Sequence, residues 1–102
     1  MKLQIELTPI NRIIYLTALE LKQPFNLGEL TFAFQSIYPK WTKKNTRFRI
    51  KQLIQQKLIS KQYINFKIYY ICLVSADDFL SADFISNSSK DFYSKNFLIC
   101  QL

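Results

Sequence analysis

The chain has no histidine, a single glycine (Gly28), no CxxC pair and no GxSxG elbow. Without histidine it lacks the commonest general base and metal ligand. One glycine cannot build a phosphate-cradling loop. Asp77, Asp78 and Asp83 can in principle bind a cation, but carboxylates at a helix start are better explained by the helix dipole. No enzymatic activity, cofactor or metal is therefore expected. Cys72 and Cys100 are the only thiols and read as buried free cysteines rather than a disulfide. The longest apolar run, residues 68–74, falls well short of the roughly 18 residues of a membrane span. Residues 1–7 alternate polar and apolar without a signal-peptide core. A cytoplasmic protein with no membrane partner is expected.

The scarcity that says most is of negative charge. No acidic residue lies between Glu29 and Asp77, yet Lys40, Lys43, Lys44, Arg47, Arg49, Lys51, Lys57, Lys61 and Lys67 do. The whole chain carries +7, split as +9 over residues 1–74 and −2 over residues 75–102. A one-signed segment of this kind repels itself, and a polyanion relieves that repulsion. With 102 residues, 49% of them apolar and 16% aromatic, the chain can bury a core without staples. Its length bounds it to one domain, residues 1–74, with a small acidic and aromatic appendage over residues 75–102.

Leu3, Ile5 and Leu7 alternate with polar residues, which predicts a short strand. Thr8-Pro9 offers an N-cap and a first-turn proline, and Ile10, Ile13, Ile14, Thr17, Ala18 and Leu21 then recur at helical spacing over residues 9–22. Asn26 and Glu29 form a capping-box pattern flanked by the staple pair Phe25 and Leu30. Leu27, Leu30, Phe34 and Ile37 are the expected buried face of that second helix. Thr42 can cap a third helix, residues 42–58. At 100° per residue, Thr46, Ile50, Leu53 and Lys57 share one side, with Ile54 and Arg49 beside them, while Lys44, Arg47, Phe48, Lys51 and Gln55 share the other. Residues 60–74 read as a hairpin turning near Ile64-Asn65-Phe66, with Asn65 taking φ > 0. Ser75 to Asp78 repeats the capping pattern and opens a helix to about Ile85, packed by Phe79, Leu80 and Phe84. Residues 86–91 read as a loop, and residues 92–102 as helix or strand.

This order of strand, helix, helix, turn, basic helix and hairpin resembles the winged helix-turn-helix family of DNA-binding domains over residues 3–74. Its best local match is Leu53-Ile54-Gln55-Gln56-Lys57-Leu58-Ile59. That run is similar to the family's passage from recognition helix to wing: a leucine, four mostly polar residues, then Leu-Ile. The resemblance implies an α+β fold, a small winged helix with a three-helix core, a β-hairpin wing and an N-terminal strand, plus a C-terminal helical appendage. It also implies that the third helix enters the major groove while the wing touches backbone or minor groove. Two departures stand out: Lys57 replaces the common glycine, and the wing tip, Ile64 to Phe66, is short and apolar.

On this reading Lys43, Lys44, Arg47 and Lys51 neutralise phosphates, with Arg47 able to pair with guanine O6 and N7. Asn45 and Thr46 reach base edges or backbone, and Lys40, Lys61 and Lys67 add backbone contacts from turn and wing. Phe48 meets a thymine methyl or a protein partner, or else packs under the wing or on Trp41. Tyr38 and Trp41 either clamp nucleic acid or close the core beside the turn. The expected function is sequence-specific double-stranded DNA binding by a small transcriptional regulator. The tail helix then either dimerises the chain or covers an exposed sheet. The alternative is a winged-helix interaction module that docks on an acidic protein.

Overall fold

The computed structural model describes residues 4, 5 and 7–84. Each described helix begins where a side chain can cap it. Thr8 Oγ1 accepts the Asn11 amide at 3.2 Å and starts α1, Pro9–Leu19. Asn26 opens α2, Leu27–Phe34, with a reciprocal capping box: its Oδ1 accepts the Glu29 amide at 2.8 Å, and Glu29 Oε1 accepts the Asn26 amide at 2.9 Å. Thr42 Oγ1 accepts the Asn45 amide at 3.2 Å and starts α3, Lys43–Gln55. Ser75 Oγ does the same for Asp78 at the head of the short α4, Ala76–Leu80.

The helix ends depart from expectation. Helix α1 stops at Leu19 rather than residue 22, because Gln23 Nε2 donates to the Ala18 carbonyl at 2.9 Å and to Leu21 at 3.1 Å, drawing the chain into a turn. Helix α3 stops at Gln55 rather than at residue 58. There Lys57 turns left-handed (φ 63°), its amide bonds to Ile54, and the Leu58 amide bonds to Leu53. These are the two bonds of a Schellman motif, in which the left-handed position normally belongs to glycine. Ile37 lies beyond the end of α2 and is exposed rather than buried.

Strands β2, Ile59–Ile64, and β3, Lys67–Cys72, form an antiparallel hairpin in the register Ile59↔Cys72 through Ile64↔Lys67. Asn65 and Phe66 make the two-residue turn, both with positive φ (51° and 66°). The hairpin root is tied to the segment before α2 by a bridge in which Phe25 and Tyr70 exchange backbone hydrogen bonds of 2.9 and 2.7 Å, and by the Cys72 amide, which donates to Gln23 Oε1 at 2.9 Å.

The tail differs most. Helix α4 ends at Leu80, which is exposed, and the chain then forms β4, Asp83–Phe84, instead of continuing as helix. Strand β4 pairs in parallel with β1, Gln4–Ile5, in the register Gln4↔Asp83. Leu7 lies past the end of this short first strand. The loop expected over residues 86–91, the undecided element after it and Cys100 fall outside the described residues.

All three long helices, the hairpin root and α4 share one core of Ile5, Ile10, Ile14, Tyr15, Ala18, Phe25, Leu30, Phe34, Ile50, Leu53, Leu58, Ile59, Tyr70 and Phe79. Phe79 is fully buried, with its ring centroid 4.5 Å from that of Tyr15. The architecture is a small α+β fold: three helices and an antiparallel hairpin around a common apolar centre. No helix among the described residues is long and apolar enough to cross a membrane.

Candidate nucleic-acid interface

The position of α3 is set by a hydroxyl pair buried between it and α2. Thr31 Oγ1 and Thr46 Oγ1 lie 2.6 Å apart, and both residues are buried. Thr31 also donates to the Leu27 carbonyl at 2.7 Å, while Thr46 accepts the indole N–H of Trp41 at 3.0 Å. Trp41 in turn packs edge-on against Phe34, centroids 4.6 Å apart, and Tyr38 lies 5.2 Å from Phe34. Tyr38 and Trp41 thus close the core beside the turn. Thr46, expected to reach base edges or backbone, is instead 1% exposed and spends its hydroxyl inside the protein.

Behind that seam α3 presents Lys43, Arg47 and Lys51, spaced four residues apart and therefore in one row along the helix. All three are exposed. They form one wall of a groove of about 600 Å³ that runs between α3, the start of α2 and the hairpin. Lys61 of β2 and Lys67 of β3 line it from the other side, so cations from three strands and helices converge on one space. Its remaining lining is Asn26, Leu27 and Gly28 at the head of α2, Ile50 and Ile54 of α3, and Ile68, Tyr69 and Tyr70 of β3. The groove has an apolar floor, a rim of five cations and no described carboxylate in its lining. Such a site attracts a chain of negative charge at the rim while offering an apolar surface below.

Four of the expected residues lie elsewhere. Lys40, Lys44, Asn45 and Phe48 are exposed, but none lines the groove. Phe48 is 58% exposed with the Arg49 guanidinium carbon 5.6 Å from its ring centroid, so it stays out of the core. Arg49 belongs to the seam between α1 and α3. Its Nη1 donates to Asn11 Oδ1 at 3.5 Å, Asn11 Nδ2 donates to Gln52 Oε1 at 2.8 Å, and burial lowers the Arg49 pKa. On the hairpin, Lys61 Nζ sits 5.6 Å from the Tyr63 ring centroid, a cation–π contact that steadies a long side chain.

Sequence reasoning missed the wall supplied by α2, since nothing in the spacing of Asn26 to Gly28 says that they face Arg47. It also left open which hairpin residues point into the groove. The fourfold spacing of Lys43, Arg47 and Lys51 is the signal that could have marked this row; the helical projection instead grouped Arg47 and Lys51 with Lys44 and Phe48. Among the described residues no group of His, Cys, Asp or Glu is placed to hold a metal. No family model, no curated protein and no solved structure matches this chain.

Proposed function

We propose that the chain is a winged helix-turn-helix protein that binds double-stranded DNA with sequence specificity, as a small transcriptional regulator. The observation that carries this reading is the groove in which Lys43, Arg47 and Lys51 of α3 face Lys61 and Lys67 of the hairpin. A major groove about 12 Å wide admits one helix, and α3 offers it an exposed polar row backed by a buried apolar one. Arg47, central in that row, pairs with guanine, while Lys43, Lys51 and the hairpin lysines take phosphates. Lys44 and Lys40 extend the cationic surface beyond the groove. A domain this small covers limited DNA, so two copies on a palindrome would raise affinity.

With five or six phosphates neutralised, log K falls against log salt with a slope of about −5. Fluorescence anisotropy of a labelled random-sequence duplex, at low and at moderate salt, tests the reading directly. Absence of binding even at low salt refutes it. Selection of bound sites from a random pool then supplies the target. On that target Arg47→Ala relaxes specificity, costing about 1–3 kcal/mol at one base position. Lys43→Ala weakens all duplexes alike and lowers the salt slope by about 1. Equal losses on specific and random DNA for both variants would contradict this division of labour.

A second reading, docking on an acidic protein, draws support from the exposed rings of Phe32 (78%) and Phe48 (58%). Failure of the duplex assay together with saturable binding to an acidic partner would favour it.

A further inference from the structure

Two unfavourable features coincide at Phe66. It occupies the second place of a two-residue hairpin turn whose φ angles are both positive (51° and 66°). Turns of this kind favour Asn-Gly, because only glycine takes the second place without steric cost. Asn65 fits the pattern; Phe66 breaks it with a bulky side chain. The same side chain is 106% exposed, as open to water as in an extended chain. Around it Tyr63 (71%), Ile68 (42%) and Ile64 (37%) are exposed as well. The tip is therefore largely apolar, strained and open to water.

Its setting narrows what it meets. Tyr70, paired with Lys61, is the last buried residue of the hairpin. The ribbon beyond it projects by about 10 Å, at about 3.4 Å per residue. Lys61 and Lys67 flank this projection, and both also line the cationic groove. A polyanion drawn to the groove thus runs past the tip. Asn65 and Lys67 beside the turn can donate to phosphate, but the Phe66 ring has no donor, and a phenyl ring stacks on any base. A two-stranded ribbon is too wide for a minor groove of about 6 Å, whereas one ring is not.

We propose that Phe66 is a wedge: it enters the duplex from the minor groove, slips between two base pairs and bends the DNA, with Lys61 and Lys67 on the flanking backbone. The inference rests on the duplex-binding reading above. Apolar wedges of this type kink DNA toward the major groove, which is where α3 lies. The strain at Phe66 then has a function, since it holds the ring at the apex rather than folded back on the hairpin.

The test uses the full chain and a random-sequence duplex of about 30 base pairs, with a donor dye on one end and an acceptor on the other. Anisotropy reports binding and energy transfer reports bending in the same sample. Wild-type protein should bring the ends together, by a kink of about 20–90°. Phe66→Gly suits the turn better and should melt no lower than wild type, yet lose the bend and bind about 5- to 100-fold more weakly. Phe66→Trp should keep the bend. Phe66→Gly protein that binds and bends DNA as wild type does overturns the wedge and leaves the duplex reading standing; so does a wild-type complex without a bend. No anisotropy change with wild-type protein removes both. Loss of attachment to phosphatidylserine vesicles, or of self-association, in Phe66→Gly with energy transfer unchanged makes the tip a lipid or protein contact and overturns the proposal.

Discussion

Thr46→Val changes one hydroxyl into a methyl of nearly the same size, at a site that is 1% exposed. Two protons serve three hydroxyl contacts here: Thr31 to the Leu27 carbonyl (2.7 Å), Thr46 to the Thr42 carbonyl (3.3 Å), and the 2.6 Å link between the hydroxyls. Trp41 adds a third proton, donated to Thr46 at 3.0 Å. Valine at position 46 orphans that indole N–H, while Thr31 keeps its carbonyl. One unsatisfied donor costs about 1–3 kcal/mol, and we take about 2 kcal/mol, or a fall in Tm of about 8–16 °C for a domain of this size. Thr31→Val leaves Thr46 with both Trp41 and the Thr42 carbonyl, so it costs only about 1 kcal/mol. The double variant removes the shared hydroxyl link once rather than twice. It should therefore fall short of the summed single effects by about 0.5–1.5 kcal/mol. Urea unfolding of the four proteins, with unchanged m-values, gives all three numbers. A cost at Thr46 below about 0.5 kcal/mol, or one at Thr31 that equals it, would show that the pair does not hold α3 in the way described.

Two further outcomes follow from the fold. Lys57→Gly removes a left-handed lysine that costs about 1–2 kcal/mol and adds chain entropy of about 0.5–1 kcal/mol. The urea midpoint should rise by the equivalent of about 0.5–1 kcal/mol; a midpoint that stays or falls contradicts the Schellman assignment. Burial pushes Tyr15 up from the usual 10 to about 12 and Cys72 up from 9 to about 11. Both groups are neutral when protonated, so the folded chain holds these protons more tightly than the unfolded one. Their contribution is whole below pH 9 and is lost as pH climbs to 12. Melting curves should hold level up to pH 9 and then decline, less steeply in Tyr15→Phe. That variant is weaker at neutral pH, since Tyr15 Oη bridges the Val74 carbonyl (2.8 Å) and amide (2.9 Å). A profile indifferent to pH between 9 and 12 would remove the argument.

The starts of helices were readable and their ends were not, for a physical reason. Thr8, Asn26, Thr42 and Ser75 cap through bonds to amides three residues away, so the local sequence contains the whole interaction. Helix α1 ends where Gln23 reaches back, and α3 ends in a left-handed lysine where the pattern calls for glycine. The pairing of β1 with β4 joins two-residue strands from opposite ends of the described chain, and no periodicity reports a contact that remote. At the site, helical spacing put Arg47 and Lys51 on one side with Lys44, Phe48 and Gln55, whereas the groove takes Lys43 and leaves Lys44 and Phe48 out. Thr46 drew two readings, on the apolar side of α3 with Ile50 and Leu53 and as a DNA contact, and its 1% exposure decides for the first. Its burial depends on Thr31 and Trp41, which only the tertiary fold brings to it.

The bridge between Phe25 and Tyr70 makes the hairpin a cantilever. A free two-stranded ribbon is marginal in water, but this one is clamped at one rung to the segment leading into α2. Deflection is therefore concentrated beyond that rung, and a load on the outer end is delivered back to the head of α2 through it as well as to the end of α3, where the Leu58 amide bonds to Leu53. The jaw opposite α3 can flex while the helix that fills the other jaw stays where its buried hydroxyls fix it.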